Sequence, residues 1–320
     1  MLSIWPSLFA STCAVTGVAV LVGPYLRQAG VPLPESAAAA LVGGSYAVTA
    51  LFPTGRYTTG LTLLLGAALP LGWPVARCLL VVAGLGLLRG AQVTYAAQVG
   101  VRRWVAIQNV AFAAGPVAFE VARARLGVVG IQGLLALLAL FALGTRPSLQ
   151  SQPIDKAPTA AGFGAILALV LFYFAQSQGM SLYSLADENG LPAGLAAAAH
   201  GLAVSALVLV IPRRMMRLDL GLLFYAIGFV LLAWHVGRLP IAVSLGLHGL
   251  GEAMLLPALL PVLTGSRSTT RWLCAAAGYS VGLLSGGWRF GPTAYFGALA
   301  AGFLAAAAAS LVVGNRARNT

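Results

Sequence analysis

The chain has 320 residues, of which 59% are hydrophobic and 8% charged, and its mean hydropathy is +0.91. A soluble domain carries about a quarter of its residues as charges to cover its surface, so this composition excludes one. The net charge of +12 comes from Arg and the single Lys156, scattered in ones to threes between apolar runs. No basic stripe interleaved with aromatics is present, which argues against nucleic acid and for a lipid bilayer as the partner.

Runs near 20 apolar residues match a hydrocarbon core about 30 Å thick at about 1.5 Å rise per residue. Punctuated by Pro, Gly and Arg, they predict helices at 6–26, 36–53, 58–73, 76–99, 103–122 and 127–144. Six more follow at 160–183, 192–211, 219–235, 239–263, 271–287 and 291–313. The first run continues as a long helix without a cleavage site and is expected to serve as targeting signal and structural element together. Connections of a few residues make neighbouring segments antiparallel. The exception is the polar stretch between Thr145 and Pro158, which has linker composition. The chain thus divides into residues 1–145, a cytoplasmic linker 146–159 and residues 160–320, with six predicted helices on either side of the linker. Such an internal repeat places a site near the midplane, between the halves.

With the N-terminus inside, the inner connections and tail hold Arg56, Arg102, Arg103, Arg146, Lys156, Arg213, Arg214, Arg217, Arg267, Arg271, Arg316 and Arg318. The outer side holds Arg27, Arg77, Arg123, Arg125, Arg238 and Arg289. Twelve against six places both termini in the cytoplasm of a multi-pass cell-membrane protein. Cys13, Cys78 and Cys274 sit in or beside apolar runs without CxxC spacing and read as small core residues, so neither a metal nor a disulfide framework is expected.

Polar residues at membrane depth are costly, about 2.5–3.5 kcal/mol for a charge at the helix centre, and so mark cavities or partners. Arg89 lies about thirteen residues into the segment 76–99, with Gln92 on its face. It reads either as a cavity cation for an anionic group or as a structural Arg on backbone carbonyls. Glu252 lies at the same depth in 239–263, with His248 one turn earlier. The pair reads as a proton-coupling site or as a static bond sealing a helix contact. Tyr173, Gln176, Met180 and Tyr183 share one face of their segment, as a binding stripe or as packing. Gln108, Asn109 and Gln178 serve equally as interhelical glue or substrate contacts. His200, alone among alanines, reads as a helix-contact donor, and Glu120 as a surface ion pair with Arg123 or Arg125 or as a gate. There is no GxSxG, HExxH, acidic metal cluster or phosphate loop, so neither an enzyme nor a cofactor is expected.

Several stretches resemble the major facilitator superfamily. Leu88-Arg89-Gly90 resembles its intramembrane Arg-Gly pattern, and Gly115-Pro116 the Gly-Pro step of its antiporter motif. Gly55-Arg56-Tyr57 with Gly60 is similar to a worn form of the motif joining the second and third helices. The run Ser181 to Gly190, the turn Pro212-Arg213-Arg214, and Gly249, Gly251 and Pro257 around Glu252 also fit in order. The 2–3 connection lacks the acidic residue and most basic residues of the full motif, and Phe119 and Glu120 replace the glycines that continue the antiporter motif.

The resemblance implies an all-α membrane protein of twelve transmembrane helices that rocks two halves about a central site. It implies a monomeric secondary transporter of a small organic molecule, driven by protons or another coupling ion. Gly115-Pro116 favours export by proton antiport, and Arg89 an anionic group on the substrate. The alternatives are uptake by symport, a ten-helix drug/metabolite transporter, and a non-transporting scaffold or receptor.

Overall fold

In a bilayer every backbone polar group must be satisfied within the chain, which favours helices closed on their own hydrogen bonds. The computed structural model describes residues 4–28, 35–69, 73–145, 163–264, 268–284 and 291–316, and these form helices with no strand among them. In order they are α1 (Ile4–Gln28), α2 (Glu35–Leu51), α3 (Tyr57–Ala68), α4 (Pro74–Val99), α5 (Val101–Gly144) and α6 (Phe163–Glu188). There follow α7 (Ala193–Val210), a 3-10 turn (Arg213–Met215), α8 (Leu218–Trp234), α9 (Arg238–Thr264), α10 (Ser268–Leu284) and α11 (Pro292–Arg316). The proposed linker 146–159 lies outside the described residues.

One difference from the expected elements is informative. Instead of separate helices at 103–122 and 127–144, α5 runs from Val101 to Gly144 with its only non-helical backbone at Gly127 (φ 60°, ψ −141°). That region is open to glycine and strained for other residues. Contacts with α1 show that the chain reverses there. Cys13 Sγ and Thr16 Oγ1 reach Ala111 O, and Phe119 packs on Gly17, so the first arm runs parallel to α1. Ser7 Oγ donates to Ala142 O at 2.7 Å, so the second arm returns antiparallel. A single glycine therefore performs the turn for which a loop was expected.

By length and apolarity, Val75–Ala96, Val101–Gly144, Arg238–Leu260 and Pro292–Leu311 qualify as membrane spans among the described residues, accompanied by shorter apolar helices. Two seams join the N- and C-terminal groups of helices: α5 against α7, and α2 against α10. At the first, Ser205 Oγ donates to Ala106 O at 2.9 Å, and Arg102 donates to Val208 O at 2.8 Å and Ile211 O at 2.9 Å. The two carbonyls that Arg102 meets are at the end of α7, where a helix has no further amides to offer and a cation is favoured. At the second seam, the Tyr46 and Tyr279 rings lie 4.8 Å apart.

Candidate functional site: a polar cavity between the two helix groups

Between the seams lies a cavity of about 200 Å³, lined from both groups of helices, and it contains the two charged residues singled out at membrane depth. Arg89 enters it from α4 and Glu252 from α9. They do not bond to each other.

Arg89 is held by α2. Its Nη1 donates to Ser45 Oγ at 2.7 Å, and the guanidinium lies 3.7 Å from the centroid of the Tyr46 ring, a cation–π contact. Tyr46 in turn meets Tyr173 of α6 edge-on at 5.1 Å, and Trp272 of α10 at 6.3 Å. Together with Tyr279, these rings form an aromatic wall on the Arg89 side. No carboxylate among the described residues forms an ion pair with Arg89. A guanidinium has five N–H donors, and Ser45 uses one.

Glu252, by contrast, is surrounded by donors. Its Oε2 accepts from Gln176 Nε2 of α6 at 3.3 Å and Tyr225 OH of α8 at 3.5 Å. His200 Nε2 of α7 lies 3.3 Å from the same oxygen. The other ring nitrogen, Nδ1, is 3.1 Å from Leu245 O. A carbonyl can only accept, so Nδ1 carries a hydrogen, and the contact between Nε2 and Oε2 then requires one proton between the two groups. Glu252 and His200 thus have the geometry of a pair that shares one proton.

This geometry corrects one expectation. His248, at helical spacing from Glu252, does not bond to it. The His248 ring stacks on Tyr225 (centroids 4.8 Å, interplanar 15°) and meets Phe229 at 4.4 Å, and its Nε2 is buried without a hydrogen-bond partner. One turn of separation puts two residues on the same face, but Tyr225 of α8 packs against both. His200, read from sequence as a helix-contact donor, takes the place beside Glu252.

Of the other singled-out residues, some line the cavity and some lie away from it, while the side chains of Gln178 and Met180 lie outside those described. Tyr173, Gln176, Tyr183 and Gln92 line the cavity with Arg89, His248 and Glu252. Gln92 also ties α4 to α1 through Ser11 Oγ at 3.1 Å and Thr12 Oγ1 at 3.2 Å. Gly55, Arg56, Gly115, Pro116 and Glu120 lie away from it. Gly55 has φ +63° and sits on α4, where a Cβ would come 2.2 Å from Leu87 O, and exposed Arg56 lies over the Phe52 ring at 5.8 Å. Gly115 lets α5 approach α1 so closely that a Cβ would meet Cys13 O at 2.8 Å, while Pro116 continues within the helix. Glu120 forms an ion pair with Arg123 three residues on, both partly open to the surface. Three wall residues, Tyr46, Trp272 and Tyr279, were not singled out, because single aromatics in apolar helices look like packing until three helices bring them together.

No family profile matches the chain, and no curated protein matches it. Solved structures do. A bacterial homologue of the human drug peptide transporters PepT1 and PepT2 superposes with a TM-score of 0.74 at 12% identity, over 99% of this chain and 98% of that one. The peptide transporter POT in complex with alafosfalin gives a TM-score of 0.72 at 16% identity, over 98% of this chain and 94% of its own. The human organic anion transporter MFSD10 gives 0.69 at 18% identity, over 96% and 97%. At such identities the likeness is one of fold, and it spans nearly the whole of each chain. The chain has the fold of major facilitator transporters, as the resemblance in its sequence implied.

Proposed function

We infer that the protein is a proton-coupled secondary transporter that moves a small organic molecule bearing an anionic group. The observation that carries this reading is the cavity, with an Arg from one half and a carboxylate from the other that are not bonded to each other. Arg89, with Gln92, Tyr173, Gln176 and Tyr183 nearby, is the substrate side. Glu252 is the proton side. Twelve crossings, two of them from α5, would rock as two halves about this site, and one chain supplies the lining of the cavity, so a monomer suffices. The site is read as one that binds and releases a ligand, a reading supported by the likeness to solved transporters. Gly115 and Pro116 act as a close-packing step between α5 and α1, which bears on the rate of movement rather than on its direction. The proposed orientation has both termini in the cytoplasm.

Purified protein in vesicles tests the function. An imposed pH gradient should drive uptake or release of organic anions, and the direction of substrate movement relative to the protons separates symport from antiport. Vesicles that move no solute of any charge class, together with specific capture of a protein partner, would favour the receptor or scaffold reading. For orientation, Arg214→Cys in a cysteine-free background should resist impermeant thiol reagents in intact cells, whereas Glu188→Cys should react; the reverse labelling would overturn it.

A further inference from the structure

The two ends of the cavity differ in what they can hold. Arg89 is a permanent cation with one hydrogen bond to protein and aromatic rings on its flank. Glu252 and His200 are placed so that one proton can bridge them. With that proton absent, Arg89 and Glu252 bring the cavity to zero formal charge. With it present, the cavity carries one net positive charge. The other titratable groups facing Glu252 do not alter this sum. Tyr183 on α6 and Tyr225 on α8 are phenols, neutral well below about pH 10. His248 on α9 lies between Tyr225 and Phe229, with no ion-pair partner among the described residues.

Resting on the transporter reading above, we propose that the cavity takes a small aromatic carboxylate and a proton as co-ligands. The carboxylate binds at Arg89 against the wall of Tyr46, Tyr173, Trp272 and Tyr279, and the proton binds at Glu252–His200. A positive charge added inside a low-dielectric cavity attracts an anion and repels a cation. Linkage makes the effect reciprocal, so the anion draws the proton in as strongly as the proton favours the anion. Binding together is what symport requires; competition between them, which antiport requires, would suit a cationic ligand. The size follows from the space: about 200 Å³ lies below the roughly 300–1,000 Å³ of drug-sized sites and fits a molecule built on one ring. The planar guanidinium matches a carboxylate with two parallel bonds, while the rings beside it offer a face for an aromatic body.

Benzoate is the probe, with benzylamine and cyclohexanecarboxylate as matched controls, measured by calorimetry on purified protein without a gradient. Between about pH 6 and 8 benzoate stays ionised, so any pH effect belongs to the protein. Benzoate should bind at least about fivefold more tightly at the acid end, with net proton uptake from weakly buffered solution. Cyclohexanecarboxylate should bind more weakly, and benzylamine should not bind. Glu252→Gln, a neutral isostere, should bind benzoate tightly with neither pH dependence nor proton uptake, and Arg89→Gln should lose binding while melting as a folded protein. Proton release on benzoate binding, preference for benzylamine, or no benzoate binding at any pH would each overturn the proposal. Cooperative binding without flux in vesicles would instead sink the transport reading and leave this one standing.

Discussion

The Arg89 end of the cavity, on α4, and the Glu252 end, on α9, face the same space, yet they are built in opposite ways. Arg89 meets one hydroxyl and a wall of rings, so most of its donors have no acceptor among the described residues. Glu252 receives neutral donors from α6 and α8 and an imidazole from α7. A cation left with spare donors is suited to a ligand that arrives and leaves. A carboxylate supported by neutral donors and one imidazole is suited to a proton, which needs no space. The contrast also disposes of a static bridge between them in this structure, since each is oriented by partners of its own.

The largest expected effect tests the Arg89 end. Arg89→Ala should weaken anion binding about 10- to 150-fold, the range for losing a hydrogen bond to a charged group, about 1.5–3 kcal/mol. Arg89→Lys should recover little of it, because a point charge cannot replace the planar fork or its stacking on Tyr46. Full recovery in Lys would show that only charge matters at that end, removing the reason for the aromatic wall.

At the other end, His200→Ala should lower stability by about 1–3 kcal/mol by depriving Glu252 of a partner in a buried site. His248→Phe should cost less than that, since an aromatic ring of similar shape keeps the stacking on Tyr225 and gives up only the ring's bond to the Tyr225 backbone, Nε2 being already without a partner among the described residues. Thermal unfolding of the two variants measures this directly. A larger loss in His248→Phe would return the proton site to the pairing that helical spacing alone suggested.

A change outside both ends should leave their contrast intact. Gly115→Leu would push into Cys13 O and Thr16 Oγ1, and overpacking of this kind costs about 1–3 kcal/mol. Transport should slow while equilibrium binding at Arg89 is preserved; wild-type rates would show that α5 and α1 need not approach so closely. The smallest effect belongs to Glu120→Gln, which breaks an exposed pair with Arg123. Less than about 1 kcal/mol of stability and no change in transport are expected. A marked fall in transport would revive Glu120 as a gate.

The amino-acid sequence by itself determined the solvent, the helical class, nearly all helix positions and the two residues, Arg89 and Glu252, that carry charge into the cavity. Hydropathy and spacing act along one helix, and the cost of an intramembrane charge is paid wherever it sits, so these features are local and legible. Only the tertiary structure decided which faces meet. It turned α5 back on itself at Gly127, set His200 rather than His248 beside Glu252, and gathered Tyr46, Tyr173, Trp272 and Tyr279 from α2, α6 and α10 into one wall. Periodicity says which residues share a face of one helix. Which neighbour that face then meets is fixed by packing among many helices of similar apolar composition, and no single segment encodes that choice.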